Sequence, residues 1–354
     1  MLTLRFVVFI ASLVFLGSCA TKVLKYDKAE ELEKNSEFDS AVKIEIPEEV
    51  TTTTSADGPP VTLGEITPED QTVVATTTTQ PKKKKGSKEG KKVDSRTSTP
   101  VPSGRQPEEE SALGFEGRRP LKDPFRVGEK VVHEVSYLKM SAGNLSFEVK
   151  PFATVNGRKN YNFYTGIKTK SFFSSFYAVD DFVTTLVDYD LFVPSVFKLS
   201  VKESAQIKNA QSLFDWNTKR AKYWEKKVTE KDGETEKKLE WDILEYSQNV
   251  FSIAFYMRVF QWDVGTVNQF RVADDGRNLI FKGTALRRET ISTDAGEFKT
   301  IVIRPEMLLQ GKFEQTGDNF LYLTDDDRKF IVRIESKIKI GTLVSEVVEL
   351  NPGR

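Results

Sequence analysis

The chain has 354 residues, its 52 Lys+Arg balance 52 Asp+Glu, and it carries one His and one Cys. A lone Cys excludes an intramolecular disulfide, zinc sites of the Cys/His kind lack ligands, and a Ser-His-Asp or Cys-His catalytic pair would have to run through His133. A zero balance also argues against a nucleic-acid binder that neutralises phosphates along its whole surface.

Residues 1–18 contain one charge, Arg5, then the apolar run Phe6 to Leu16 and the small residues Gly17 and Ser18. This reads as a secretory signal peptide, too short to be a spanning helix. Leu16-Gly17-Ser18-Cys19 resembles a bacterial lipobox, in which the Cys thiol is acylated and the chain is cut just before it. The expectation is a membrane anchor at acylated Cys19. One acyl chain holds marginally and stable anchoring takes two signals, so a multiply acylated terminus should hold firmly. Ala20 stands where inner-membrane-retained lipoproteins of some bacteria carry Asp, which by resemblance favours the outer membrane. The alternative is an ordinary secreted leader with an unmodified Cys.

Residues 19–120 read as a disordered, low-complexity tether. Between Ala20 and Pro120 the aromatics are Tyr26, Phe38 and Phe115, whereas 33 of the chain's 39 aromatics follow Pro120. Only the second part can bury a core. The first holds Thr51 to Thr54, Thr76 to Thr79, the basic run Lys82 to Lys85 and a Pro/Ser/Gly/Glu stretch, which cannot offset the entropy of ordering. As a flexible leash it would span roughly 55 Å. The lysines either solvate it or dock on anionic lipid or wall polymer.

Residues 121–354 read as a β-rich envelope domain. Val131, His133, Val135, Tyr137, then Leu145, Phe147, Val149, and later Phe330, Val332, Ile334 with Leu343, Ser345, Val347 alternate with period two, the mark of half-buried strands. Asn156-Gly157, Asp232-Gly233, Asp274-Asp275-Gly276, Asp294-Ala295-Gly296 and Thr324 to Arg328 supply turns, so neighbours along the chain should pair antiparallel. The segment Asp242 to Gln261 breaks the pattern: Tyr246, Val250, Ile253, Met257 and Phe260 have helical spacing, with Asp242 and Glu245 as a capping pair and Gly265 beyond the end. The predicted fold is mainly β, an antiparallel meander of about ten strands forming a strongly curved sheet or open barrel around one main helix.

In this part the residues resemble a known family. Asp123-Pro124-Phe125-Arg126-Val127-Gly128-Glu129, Ser136-Tyr137-Leu138 and Ala142-Gly143 look like the opening of the bacterial domain-of-unknown-function family numbered three-one-zero-eight. Arg288-Glu289-Thr290 with Ala295 to Thr300 is similar to its middle strand pair, and Leu321 to Asp326 through Ile340 to Leu343 to its closing strands. The resemblance covers roughly residues 120 to 350. It implies an exported, mostly β envelope domain and brings no activity and no catalytic residues. The long Thr/Lys-rich tether departs from shorter members.

Candidate sites are few. His133 shares a face with Val131, Val135 and Tyr137 and reads as a wall residue rather than a general base. Asp325-Asp326-Asp327 could hold a hard cation but sits between two strands and reads as a solvated turn, so no metal site is assigned. Asp180-Asp181 would point to opposite faces of a strand, which reads as surface plus turn and not as a paired-carboxylate site. Phe172, Phe173, Phe176 and Tyr177 form the densest aromatic group; in an open barrel they could rim a hydrophobic pocket, as could Trp216 and Trp224 beside Tyr223.

No cofactor and no enzymatic activity are expected. The leading reading is an outer-membrane-anchored lipoprotein, periplasmic or surface-facing, whose β domain is a binding module for a hydrophobic ligand, lipid-like or peptide. The alternative is a structural lipoprotein docking protein partners in an envelope assembly through a sheet edge or convex face. A hydrolase working with carboxylates alone is a third reading, and it needs two acids facing one cleft.

Overall fold

The computed structural model describes Leu24, Tyr26, residues 29–47, Glu110 and residues 114–309, 312–314, 318–338 and 341–354. The signal peptide, Cys19 and most of the expected tether, with its threonine and lysine runs, lie outside the described residues. In chain order the elements are α1 (Ala29–Glu33), α2 (Ser36–Ala41), β1 (Ile44–Glu45) and a small hairpin of β2 (Phe115–Glu116) and β3 (Arg119–Pro120). Next come β4 (Glu129–Tyr137), β5 (Met140–Val155), β6 (Arg158–Thr169), α3 (Ser171–Ser174), β7 (Asp180–Asp188), β8 (Pro194–Lys202), β9 (Gln206–Asp215), β10 (Arg220–Thr229) and β11 (Gly233–Asp242). After α4 (Ile253–Tyr256) and a 3₁₀ turn (Met257–Val259) follow β12 (Val267–Asp274), β13 (Arg277–Thr293), β14 (Gly296–Leu309), β15 (Lys312–Glu314), β16 (Asn319–Thr324), β17 (Ile331–Lys337) and β18 (Thr342–Pro352).

The strands form a sixteen-stranded sheet in the order β11-β10-β9-β8-β7-β6-β5-β4-β18-β17-β16-β14-β13-β12, with β1 added to β5 and β15 to β14. The expected meander is there, and it has more strands than the expected ten. The last strand, β18, lies beside β4, so the chain closes on its own beginning in mid-sheet. The free edges belong to β11 and β12. They meet through side chains and not a ladder: Lys237 Nζ lies 2.5 Å from Asp275, and Asn278 Nδ2 donates to the Asp242 carbonyl at 2.9 Å. The sheet is therefore strongly curved but open. Its turns use the expected chemistry, with positive φ at Asn156, Gly157, Asp275 and Gly276.

Two expectations are corrected. Asp242 to Gln261 is not one main helix, since Asp242 ends β11 and only Ile253–Tyr256 with the 3₁₀ turn is helical. The backbone ahead of it is spent elsewhere: Gln248 N–H donates to Arg271 O at 2.8 Å and Ala273 N–H to Gln248 O at 2.7 Å, tying the segment to the β12 edge. Asn249, not the Asp242–Glu245 pair, caps the turn, its Oδ1 accepting from Phe251 and Ser252 N–H at 2.9 and 2.8 Å. Tyr256, Met257 and Phe260 are fully buried, so the apolar stripe records burial on all sides, which any conformation inside a curved sheet would need. Residues 243–266 are a plug of mostly irregular chain.

The second correction concerns residues 19–120. Part of the expected tether is folded: Phe38 is buried edge-on against Trp224, with ring centroids 5.8 Å apart, beside Val42, Ala153, Val155, Leu186 and Val196. Asn35 caps α2 by accepting from Phe38 N–H at 3.1 Å, and Ile44 and Glu45 pair with Val155 and Thr154. Leu32, Phe38 and Val42 are the buried apolar residues of a largely charged stretch, and a matching apolar patch on the outer sheet face gives them somewhere to go.

Strand registers sort the turns into two ends. At one end lie Leu138-Lys139, residues 170–179, 203–205, 230–232 and 275–276. At the other lie Asn156-Gly157, 189–193, 216–219 and the loop before β4. That second end is filled by the plug: Phe255 stacks on Phe163 at 4.2 Å, and Phe125 packs on both. Arg258 is clamped there on buried Glu129, at 2.5 and 3.0 Å, and donates to Pro124 O and Arg328 O.

Candidate functional site

At the end away from the Phe255–Arg258 part of the plug the sheet keeps a cleft of about 210 Å³. Period two places its wall. Thr185, Phe197, Ser212 and Tyr223 form one cross-strand row, Val183, Leu199, Ala210 and Glu225 a second, and Val201, Lys208 and Lys227 a third nearer the mouth. Val250 and Phe251 of the plug segment complete an apolar floor, and Asp181, Glu203, Asp274 and Asp275 stand around it.

Asp181 is buried, 2% exposed. Its Oδ1 accepts from Lys202 N–H at 2.9 Å, while Oδ2 has no donor among the described residues. Burial, reinforced by the charge of Glu203, pushes the Asp181 carboxyl up to about 8, against the opposing pull of the Lys202 N–H and Lys208. The shift favours its neutral form, whose proton Glu203 can accept. Glu203 accepts from Tyr177 Oη and Gln206 Nε2, both at 2.7 Å, and burial with this carboxylate raises the Tyr177 hydroxyl well above the usual phenol range. Lys208 lies 3.9 Å from Glu225, which also accepts from the Tyr223 hydroxyl. The result is a pocket with an apolar floor and a wall able both to donate a proton and to accept hydrogen bonds.

The expected surface placement of the Asp180-Asp181 pair is corrected. The alternation holds: Asp180 points outward to Lys168 at 2.8 Å and Asp181 points in. What the sequence reading missed is that Asp181 shares its face with Val183, and that Glu203 continues the inward set Leu199, Val201 across the next turn. An acid in phase with apolar residues on two neighbouring strands was the available signal.

The six candidate ligand residues do not come together. Phe172 and Phe176 are 62% and 64% exposed on the β6–β7 connection, in edge-on contact at 5.3 Å, with half-buried Phe173 against Phe172. Tyr177 alone reaches the cleft wall, through Glu203. Trp216 lies near the other end, stacked on Phe214 and donating to Pro194 O at 2.8 Å. Trp224 faces outward under α2 and donates to Glu37 at 3.1 Å. It lines a larger hollow of about 400 Å³, where Glu37 is also held by Lys238 at 2.6 Å. Polar groups there pair acid with base, whereas the cleft sets two acids, Asp181 and Glu203, against each other.

His133 is fully buried, its Nε2 2.8 Å from Ile331 O and its Nδ1 3.1 Å from Ser345 Oγ. Since a carbonyl only accepts, Nε2 carries the proton. Burial lowers this imidazole to about 4. It is a wall residue, as its face suggested. In the Asp triplet, Asp326 accepts from Thr324 Oγ1 and from the N–H of Arg328 and Lys329, while Asp325 and Asp327 pair with Arg288 and Lys122, both at 2.8 Å. The triplet shapes a turn.

Residues 132–348 match a family model described as a protein of unknown function (DUF3108). No curated protein matches the chain. Among solved structures it is similar to a beta-barrel-like protein of domain of unknown function DUF1849 from Brucella abortus, with a TM-score of 0.40 and 10% identity over 64% of this chain and 98% of that one. It is similar, too, to a Bacteroides fragilis protein with a YmcC-like fold described as exported, with a TM-score of 0.29 and 8% identity over 65% of this chain and 98% of that one. A Parabacteroides distasonis protein described as a lipoprotein matches with a TM-score of 0.29 and 11% identity over 66% of this chain and 100% of that one.

Proposed function

Because the chain belongs to the DUF3108 family of proteins of unknown function, its chemistry has to be read from its own cleft, and we propose that it is a lipid-anchored envelope protein that binds a small amphiphile without transforming it. The apolar part of the ligand lies on Leu199, Val201 and Phe251, and its polar group meets Asp181 and Glu203. The observation that carries this reading is the buried Asp181 carboxyl beside Glu203 above an apolar floor, with no donor to Asp181 Oδ2 among the described residues, since a few polar groups set in an apolar cleft are what orient an amphiphile.

Native mass spectrometry of protein purified from membranes tests it: a retained lipid-like molecule is expected. A fluorescent fatty acid should bind as well, and Phe251→Arg, which fills the cleft, should weaken that binding at least ten-fold. Absence of both retained ligand and uptake would end the reading. The anchor rests on Leu16-Gly17-Ser18-Cys19. Metabolic labelling with palmitate should mark the protein, and Cys19→Ser should abolish the mark; the outer membrane, suggested by Ala20, is checked by sucrose-gradient fractionation.

Against strand addition, one route of the scaffolding alternative, stands the composition of one sheet edge. The β11 edge, Gly-Glu-Thr-Glu-Lys-Lys-Leu-Glu-Trp-Asp, is heavily charged, a composition that discourages strand addition.

A further inference from the structure

Apolar side chains exposed on the surface are mostly scattered, as on any protein. Four are not. Leu138 and Met140, 57% and 47% exposed, flank the β4–β5 turn, and Phe172 and Phe176 stand on the β6–β7 connection next to it. The two loops are bonded together, Lys170 N–H donating to Ala142 O at 3.0 Å. All four lie at the mouth end, beside the cleft. Ser204 N–H donates to Ala178 O at 3.0 Å, which joins this connection to the turn that carries Glu203.

An independent observation concerns where the chain leaves. Leu24 N–H donates to Glu203 O at 3.0 Å, and Tyr26 Oη to Glu234 Oε2 at 2.8 Å, both at the same mouth end. Cys19 is five residues before Leu24. Even fully extended, five residues reach only about 18 Å. Resting on the lipid anchor read from the sequence, the geometry points to a docked orientation: the mouth end of the sheet lies on the anchoring bilayer, with Phe172, Phe176, Leu138 and Met140 entering its interface.

Apolar rings on short loops beside cations suit an anionic bilayer interface. Lys139, at the apex of the β4–β5 turn, makes no ion pair among the described residues, and Lys168 and Lys170 lie close by, each paired with one acid. In this orientation the cleft opens toward the lipid, so an amphiphile could pass between the two without crossing water.

The test uses the full acylated protein in phosphatidylethanolamine–phosphatidylglycerol vesicles. Native Cys19 is consumed by its lipid, so a single introduced thiol can be labelled with an environment-sensitive fluorophore, at Phe176→Cys or, at the opposite end, at Asn217→Cys. The expected result is a blue-shifted label at position 176, quenched several-fold by spin-labelled lipid, and an unquenched label at 217. Phe172→Ser with Leu138→Ser should reduce the quenching at 176 at least three-fold with unchanged circular dichroism. Equal exposure of both labels, or quenching at 217 alone, overturns the orientation while leaving the anchor intact. A mass for the purified chain showing an unmodified Cys19 overturns the anchor and the orientation together, and leaves the cleft reading untouched.

Discussion

Asp181 and His133 are both buried, and they pull stability in opposite directions with pH. His133 titrates near 4 when folded, below its ordinary value, so the unfolded chain binds more protons between those pH values. The stabilisation is present near pH 7 and is lost as pH falls from about 6.5 to about 4, up to about 3 kcal/mol. Urea midpoints of the protein and of His133→Gln, taken from pH 7 to pH 4, should converge at the acid end. Asp181 is the reverse case, with a folded value near 8 above its ordinary one. Its contribution is present below pH 4 and is lost as pH rises towards 8. Asp181→Asn, which keeps the shape and cannot ionise, should therefore be more stable than the parent at pH 8.5, and thermal melts at pH 5 and pH 8.5 would show the gain confined to the alkaline side. Of these two groups the sequence made one legible. His133 could be placed from its own strand, whereas the meaning of Asp181 depends on Glu203, which arrives from a neighbouring strand through register that no single strand encodes.

Among the elements, the plug between β11 and β12 packs closely on the sheet. Trp262 donates to Met257 O at 2.9 Å and lies over Gly283, where an added Cβ would come within 2.6 Å of the indole and 3.2 Å of Ile303. Gly283→Ala should destabilise the fold by about 1–3 kcal/mol through overpacking, read as a lowered urea midpoint with an unchanged slope. Strands were readable from alternation because one face of each is buried, and hairpins from Asn-Gly and Asp-Gly. The plug was not, since residues apolar on every side satisfy helical and irregular spacing alike. The Asp123–Glu129 stretch, just ahead of the residues the family model matches, is architectural: Asp123 accepts from Phe125 N–H, from Arg119 and from the Tyr161 hydroxyl, and Glu129 holds Arg258 and Arg328. These residues fasten the plugged end.

For the whole molecule, the aromatic count placed the sheet after Pro120 and erred for residues 29–45, because a few apolar side chains, Leu32, Phe38, Val42 and Ile44, are enough when a matching patch awaits them. That packing changes what the intervening chain is. Ile44 and Glu45 are hydrogen-bonded to β5, and the chain rejoins the domain at Glu110, whose carboxylate meets Arg118 at 2.6 Å. The domain thus holds the chain on both sides of residues 48–109, so on the proposed anchor the number of these residues sets no distance from the membrane. A protease that severs it should leave two pieces that travel as one through gel filtration and part only in denaturant. Introducing Phe38→Asp should let the smaller piece dissociate. If the anchor proposed at Cys19 holds, residues between these two points can be lengthened, shortened or cut with the domain still at its post.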